Sequence, residues 1–121
     1  MPKIWCDGGC RGNGTAHAQT YGSFLVDGEN VRHRVELAGK TNNEAEYMTL
    51  IRALEYARAH QIVTPWVIMD SALVVEQTNG RWKCHAPTLR PLVADAQRLL
   101  KETQATLTWT HRDEIVAVLG H

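Results

Sequence analysis

The order of elements written into this sequence predicts a mixed α/β fold, a central sheet with helices on both faces. Three observations carry that prediction. Two short apolar runs end in aspartate, at Asp7 and Asp70. Apolar and polar residues alternate from Val31 to Leu37, and the spacing becomes helical from Asn43 onward. At 121 residues the chain is long enough for one core and too short for two, which predicts a single domain over 1–121.

Lys3 to Asp7 is a short apolar run closed by Gly8-Gly9, the pattern of a buried strand followed by a tight turn. Gln19 to Val26 is a second strand candidate, and Asp27-Gly28 after it is a hairpin turn signal. Val31, His33, Val35 and Leu37 fall on one side of a third, half-exposed antiparallel strand. Ala45, Leu50, Ala53, Leu54 and Ala57 then recur at helical spacing, predicting a helix from Asn43 to about His60, capped by Thr41 or Asn42. Pro65 to Met69 forms the fourth strand, ending at Asp70. Ser71 caps a short helix through Gln77, and Asn79-Gly80 stops it. Pro87 opens the next helix, with Leu89, Leu92, Val93, Ala96, Leu99 and Leu100 as its apolar stripe. Thr106 to Thr110 is the fifth strand and Asp113 to Leu119 the last helix, so the sheet is five-stranded and flanked by helices.

Thirteen basic residues balance thirteen acidic ones, which argues against binding nucleic acid by bulk charge but not against local basic patches. A hydrophobic content of 44% fits an ordered globular chain. No apolar run approaches the ~20 residues that span a bilayer, so no membrane association is expected. Met1-Pro2-Lys3 leads straight into a strand, which predicts no signal peptide. Cys6, Cys10 and Cys84 match neither a disulfide framework nor a zinc spacing, and reduced thiols in a cytoplasmic protein follow.

Acids located where core elements end are poor packing residues. Burying a carboxylate without a partner costs several kcal/mol or forces its protonation. Asp7, Asp70 and the glutamates opening the first helix therefore point to a shared divalent cation, since hard cations such as Mg²⁺ take oxygen ligands. Glu44 and Glu46 stand two residues apart and face different sides of that helix, so both cannot be ligands.

Asp7-Gly8-Gly9 with Arg11-Gly12-Asn13, Thr41-Asn42-Asn43 leading to Ala45-Glu46-Tyr47, and Asp70-Ser71 at a strand end together resemble type 1 ribonuclease H. Gly80-Arg81-Trp82-Lys83 and Pro87-Thr88-Leu89 are similar to its compact bacterial, archaeal-like or viral branch, which lacks a long basic protrusion. The resemblance implies a ribonuclease H-like fold. It also implies an endonuclease that hydrolyses the RNA strand of RNA–DNA hybrids, leaving 5′-phosphate and 3′-hydroxyl ends, with two Mg²⁺ or Mn²⁺ ions. Ions ~3.5–4 Å apart need several carboxylates around them. By the motif, Asp7 bridges both ions, Glu46 holds one and Asp70 the other.

The family's last helix usually reads Arg-x-x-Asn-x-x-Ala-Asp, the Asp being a ligand. Aligned without gaps, Leu119 falls on that aspartate, and leucine cannot bind Mg²⁺. The candidates for the fourth ligand are the His121 imidazole, its α-carboxylate and Asp113, with His121 preferred and Asp113 also a cap for the helix. A histidine ligand would weaken Mg²⁺ binding, favour Mn²⁺ and fail below roughly pH 6.5.

His111 lies where many relatives have a histidine thought to assist proton transfer or product release. Thr41 resembles the residue that binds a DNA phosphate, and Asn13 and Asn42 those that read the minor groove. Gln77, which matches the compact branch, and Trp82 and Lys83, which with Arg81 form a basic–aromatic cluster, complete the substrate-binding candidates. Turn or cap chemistry competes at Asn13, Thr41 and Asn42, and a buried place competes at Trp82. Without the basic arm, affinity should be modest and salt-sensitive. A monomer is the expected state. The alternatives are a junction-resolving or other nuclease of the same fold, and a catalytically dead hybrid-binding module.

Overall fold

The computed structural model describes every residue except Gly14, Asn30, Ala38, Lys40 and His121. Its elements are β1 (Lys3–Arg11), β2 (Gln19–Val26), β3 (His33–Val35), α1 (Asn42–Ala59), β4 (Trp66–Met69), α2 (Ala72–Thr78), α3 (Arg90–Thr103), β5 (Thr106–Trp109) and α4 (Arg112–Leu119). The strands form one mixed sheet in the order β3-β2-β1-β4-β5. β1 is antiparallel to β2 on one side and parallel to β4 on the other. The direction of the sheet thus changes at β1, and open sheets bind ligands at such switch points.

β1 does not end at Asp7, and Gly8-Gly9 is not a turn. The strand continues to Arg11, paired with β2 from Ile4↔Val26 through Arg11↔Gln19. The glycines serve close approach instead. A Cβ on Gly8 would stand 2.5 Å from the Ala45 carbonyl oxygen, and one on Gly22 would stand 2.0 Å from Thr49 Oγ1. Bare backbone at both positions lets α1 lie directly on β1 and β2.

The third strand keeps only His33–Val35 of the predicted 31–37 span. The third helix begins at Arg90, not Pro87. Residues 86–89 make a turn in which Leu89 and Arg90 donate to the Ala86 carbonyl, and Pro91 occupies the first helical turn, where its missing N–H costs nothing. Only residues 79–89 separate α2 from α3, leaving no room for a basic protrusion.

The main core collects Ile4, Cys6, Phe24 and Val26 from the sheet with Tyr47, Leu50, Leu54, Val74, Val93 and Leu99 from α1, α2 and α3. Each fully buried Leu or Ile contributes about 1.5–3 kcal/mol. Ile115 and Leu119 of α4 are buried outside that cluster, on β1 and β2, so α4 covers the opposite face. No described helix is long and apolar enough to cross a membrane. The three cysteines are free, and burial pushes the Cys6 thiol well up.

Candidate active site

Asp7 and Asp70 come together through register. The parallel ladder pairs Lys3↔Trp66, Ile4↔Val67 and Trp5↔Ile68. Two residues beyond its last pair stand Asp7 and Asp70, abreast and on one face. There β1 and β4 part, because β4 ends at Met69 while β1 continues along β2.

Glu46 arrives from the first turns of α1, whose start is fixed by a reciprocal cap. Thr41 Oγ1 accepts from the Glu44 N–H at 3.2 Å and donates to Glu44 Oε1 at 3.0 Å, a contact worth about 1 kcal/mol. Glu44 is thus a capping residue, and Glu46, one helical face away, turns into the sheet. Its Oε1 accepts from the Gly8 N–H at 3.3 Å. Oε2 is buried with no hydrogen-bond partner among the described residues.

One carboxylate oxygen from each of Asp7, Glu46 and Asp70 lies within 4.8 Å of the others. Asp7 is 1% exposed and Glu46 8%. Burial pushes the Glu46 carboxyl well above its usual range, and the charges of Asp7 and Asp70 add to the effect. Asp7 is also raised by burial, although Arg112 pulls it down. A buried oxygen-only set with an unpartnered Glu46 oxygen and mutually repelling charges fits hard divalent cations.

Arg112, which the terminal motif left without a role, faces the acids. Its Nη1 donates to Asp7 Oδ2 and Asp70 Oδ2, both at 2.9 Å. Hydrogen bonding to Asp70, then to Asp7, raises its pKa further. Trp109, also unforeseen, donates its indole N–H to the Asp70 carbonyl at 3.0 Å and so pins the end of β4. Its edge meets the His111 ring at 4.7 Å between centroids. His111 is exposed and occupies the N-cap position of α4. Asp113 is exposed in the first turn of α4 and stands outside the acid group, while Leu119 is buried. His121 lies outside the described residues.

The Asn42 Oδ1 accepts from the Cys10 N–H at 2.6 Å, and Asn13 Oδ1 accepts from the Asn42 N–H at 2.8 Å. Both exposed asparagines therefore hold the end of β1 against the start of α1. With Thr41 they line a shallow groove against Ala86, Thr88 and Leu89. Gln77 is turned inward: it is buried, accepts from the Tyr47 hydroxyl at 2.7 Å and donates to the Lys83 carbonyl at 3.3 Å. Burial pushes that tyrosine up to about 12. Gln77 thus shapes the following loop rather than the surface. Trp82 is 50% exposed and Lys83 is exposed, whereas Arg81 is paired with Glu76.

Residues 22–118 match the family model described as reverse transcriptase-like. The chain is 38% identical over 104 residues to the Mycobacterium tuberculosis bifunctional protein Rv2228c, covering 82% of this chain and 28% of that protein. The solved N-terminal RNase H domain of Rv2228c superposes with a TM-score of 0.84 at 32% identity, covering 96% of this chain and 86% of that one. The chain belongs to the ribonuclease H family. Ribonuclease HI of Halobacterium salinarum is 37% identical over 95 residues, covering 78% of this chain and 48% of that enzyme. The chain thus spans less than half the length of these two full-length ribonuclease H relatives. LC11-RNase H1, solved in complex with an RNA/DNA hybrid, superposes with a TM-score of 0.83 at 28% identity, covering 97% of this chain and 90% of that one.

Proposed function

We propose that this chain is a single ribonuclease H-like domain over 1–121 that hydrolyses the RNA strand of RNA–DNA hybrids, with Asp7, Glu46 and Asp70 as its metal ligands. The observation carrying this is the meeting of three carboxylate oxygens within 4.8 Å where β1 and β4 part. The likeness to a family member solved with a hybrid supports the substrate. Two Mg²⁺ or Mn²⁺ ions bound there would supply an activated water and neutralise charge on the leaving oxygen, giving 5′-phosphate and 3′-hydroxyl ends.

By the family motif Asp7, the most buried of the three acids, would be shared by the two ions, and Glu46 and Asp70 would hold one each. The Gly8 N–H and the Trp109 indole fix Glu46 and the end of β4, so these ligands need little rearrangement. His121 serves as the fourth ligand. Asn13, Thr41 and Asn42 line the minor-groove and DNA-phosphate side, Trp82 and Lys83 meet a sugar face and a phosphate, and exposed His111 assists proton transfer or product release. The protein acts as a cytoplasmic monomer.

The test is a panel of labelled RNA–DNA hybrid, double-stranded RNA, double-stranded DNA and a four-way junction, each with Mg²⁺, Mn²⁺ or EDTA. Cutting of the RNA strand of the hybrid with either metal, and not with EDTA, is the expected result. Cutting of the junction alone would move the assignment to a resolvase. Hybrid binding with no cutting under any metal would leave only a binding module.

A further inference from the structure

The sheet face that carries Asp7 holds more than the acids. Register aligns Asp7, Ser23 and Arg34 in one row across β1, β2 and β3, and alternation puts Arg11 on the same face further along β1. Tyr21 lies between them, its hydroxyl over Gly9 where a side chain would otherwise stand. A groove runs here beside the C-terminal end of α4, lined by Arg11, Tyr21, Ser23, Arg32, Arg34 and Glu36 among others.

Three arginines face one glutamate. Arg32 donates to the Leu119 carbonyl and so closes the end of α4. Arg11 and Arg34 are exposed and have no ion pair among the described residues. Arg58, Arg81, Arg98 and Arg112, by contrast, each face a carboxylate. In a chain with no net charge, two unmatched guanidinium groups beside an acid cluster form a local positive track. Guanidinium forks match phosphate oxygens, and contacts of this sort position a strand without reading its sequence.

We propose that this groove holds the phosphate backbone of the bound hybrid where it runs on from the acid cluster, with Arg11 and Arg34 as its contacts. The assignment rests on the hybrid-cleaving function proposed above. Arg34 stands two strands from Asp7, about 10 Å, and Arg11 four residues along β1, about 13 Å. At ~3.4 Å per nucleotide along a helix axis, each arginine stands within about four nucleotides of the phosphate at the acids, one across the strands and the other along β1.

The experiment uses Asp70→Asn protein with Mg²⁺, which holds hybrid uncut, and reads binding of a fluorescent 12-base-pair hybrid by anisotropy over a salt series. Adding Arg11→Gln and Arg34→Gln should weaken binding tenfold or more and reduce the slope of log affinity against log salt by about 1.8, or ~0.9 for each variant alone. A hybrid shortened to end within three nucleotides of the cut on the groove side should bind both proteins equally. In the otherwise wild-type chain, the double variant should keep its melting temperature and its cleavage rate at saturating hybrid. Tight hybrid binding with unchanged affinity and slope in the double variant overturns the groove and leaves the nuclease standing. Absence of hybrid binding in the Asp70→Asn protein, together with no cutting by the wild-type chain, overturns both.

Discussion

Glu46 concentrates the physical tension of the site in one side chain. It is almost wholly buried, one oxygen has no described hydrogen-bond partner, and burial with two neighbouring acids raises its pKa well above the ordinary range. A folded-state pKa above the unfolded value of about 4.3 means that the folded chain binds more protons between the two values. Its stabilising contribution is therefore present below about pH 4 and lost as pH rises through the folded pKa. Glu46→Gln should raise the metal-free melting temperature by a few degrees at pH 7 and by almost nothing near pH 4, as followed by circular dichroism. Asp70 offers less relief, because Arg112 already neutralises part of its charge. One Arg112 nitrogen donates to both Asp7 Oδ2 and Asp70 Oδ2, so it competes with a cation for these oxygens. Arg112→Gln should lower the metal-free melting temperature and tighten Mn²⁺ binding by roughly tenfold, about 1.4 kcal/mol by calorimetry. If His121 is the fourth ligand, His121→Ala should cut cleavage by about tenfold or more, and His121→Asp should restore it with a preference for Mg²⁺. Equal rates in all three proteins would make His121 a bystander. The acids were legible in the sequence because an ionised residue at a core position is costly unless a cation offsets its charge. Arg112 was not, since its contact depends on how α4 crosses the sheet. Gln77 looked like a surface contact because nothing in its neighbours revealed that Tyr47 would claim its amide.

Elements were legible where an apolar run or helical spacing marked them and less so where glycine or proline was the guide, while the alternation over 31–37 overstated β3, which keeps only His33–Val35. The spans of β2, α1, β4 and β5 follow the apolar spacing to within a residue or so. Gly8-Gly9 looked like punctuation because glycine favours turns, but here the missing side chain of Gly8 makes room for Ala45 and Thr49 of α1, and that of Gly9 makes room for the Tyr21 ring of β2. That difference is testable. Gly22→Ala should cost about 1–3 kcal/mol by overpacking, measured by denaturant unfolding, and Thr49→Ala should recover part of it because the nearest obstruction is the Thr49 hydroxyl. Gly8→Ala meets the Ala45 backbone carbonyl, so Thr49→Ala should rescue it far less. Equal rescue at both positions would contradict the packing. Pro87 misled for a related reason, as Pro91 fills the first-turn position and the earlier proline belongs to the preceding turn.

At the scale of the whole molecule, one sheet with a change of strand direction at β1 brings three acids from distant parts of the chain to one point. α1 supplies Glu46 from one side of the sheet and α4 supplies Arg112 from the other. With only residues 79–89 between α2 and α3, there is no room for a long basic arm, so fewer phosphates are contacted and hybrid affinity should be modest. The most direct measurement is single-turnover cleavage of an RNA–DNA hybrid labelled on its RNA strand, with Mg²⁺, by the parent chain and by Asp70→Asn. The parent should cut the RNA strand, EDTA should stop it, and Asp70→Asn should bind the hybrid, keep its fold and cut at least a hundredfold more slowly. Asp70→Asn protein that retains most metal-dependent cleavage would contradict the assignment of Asp7, Glu46 and Asp70 as the site.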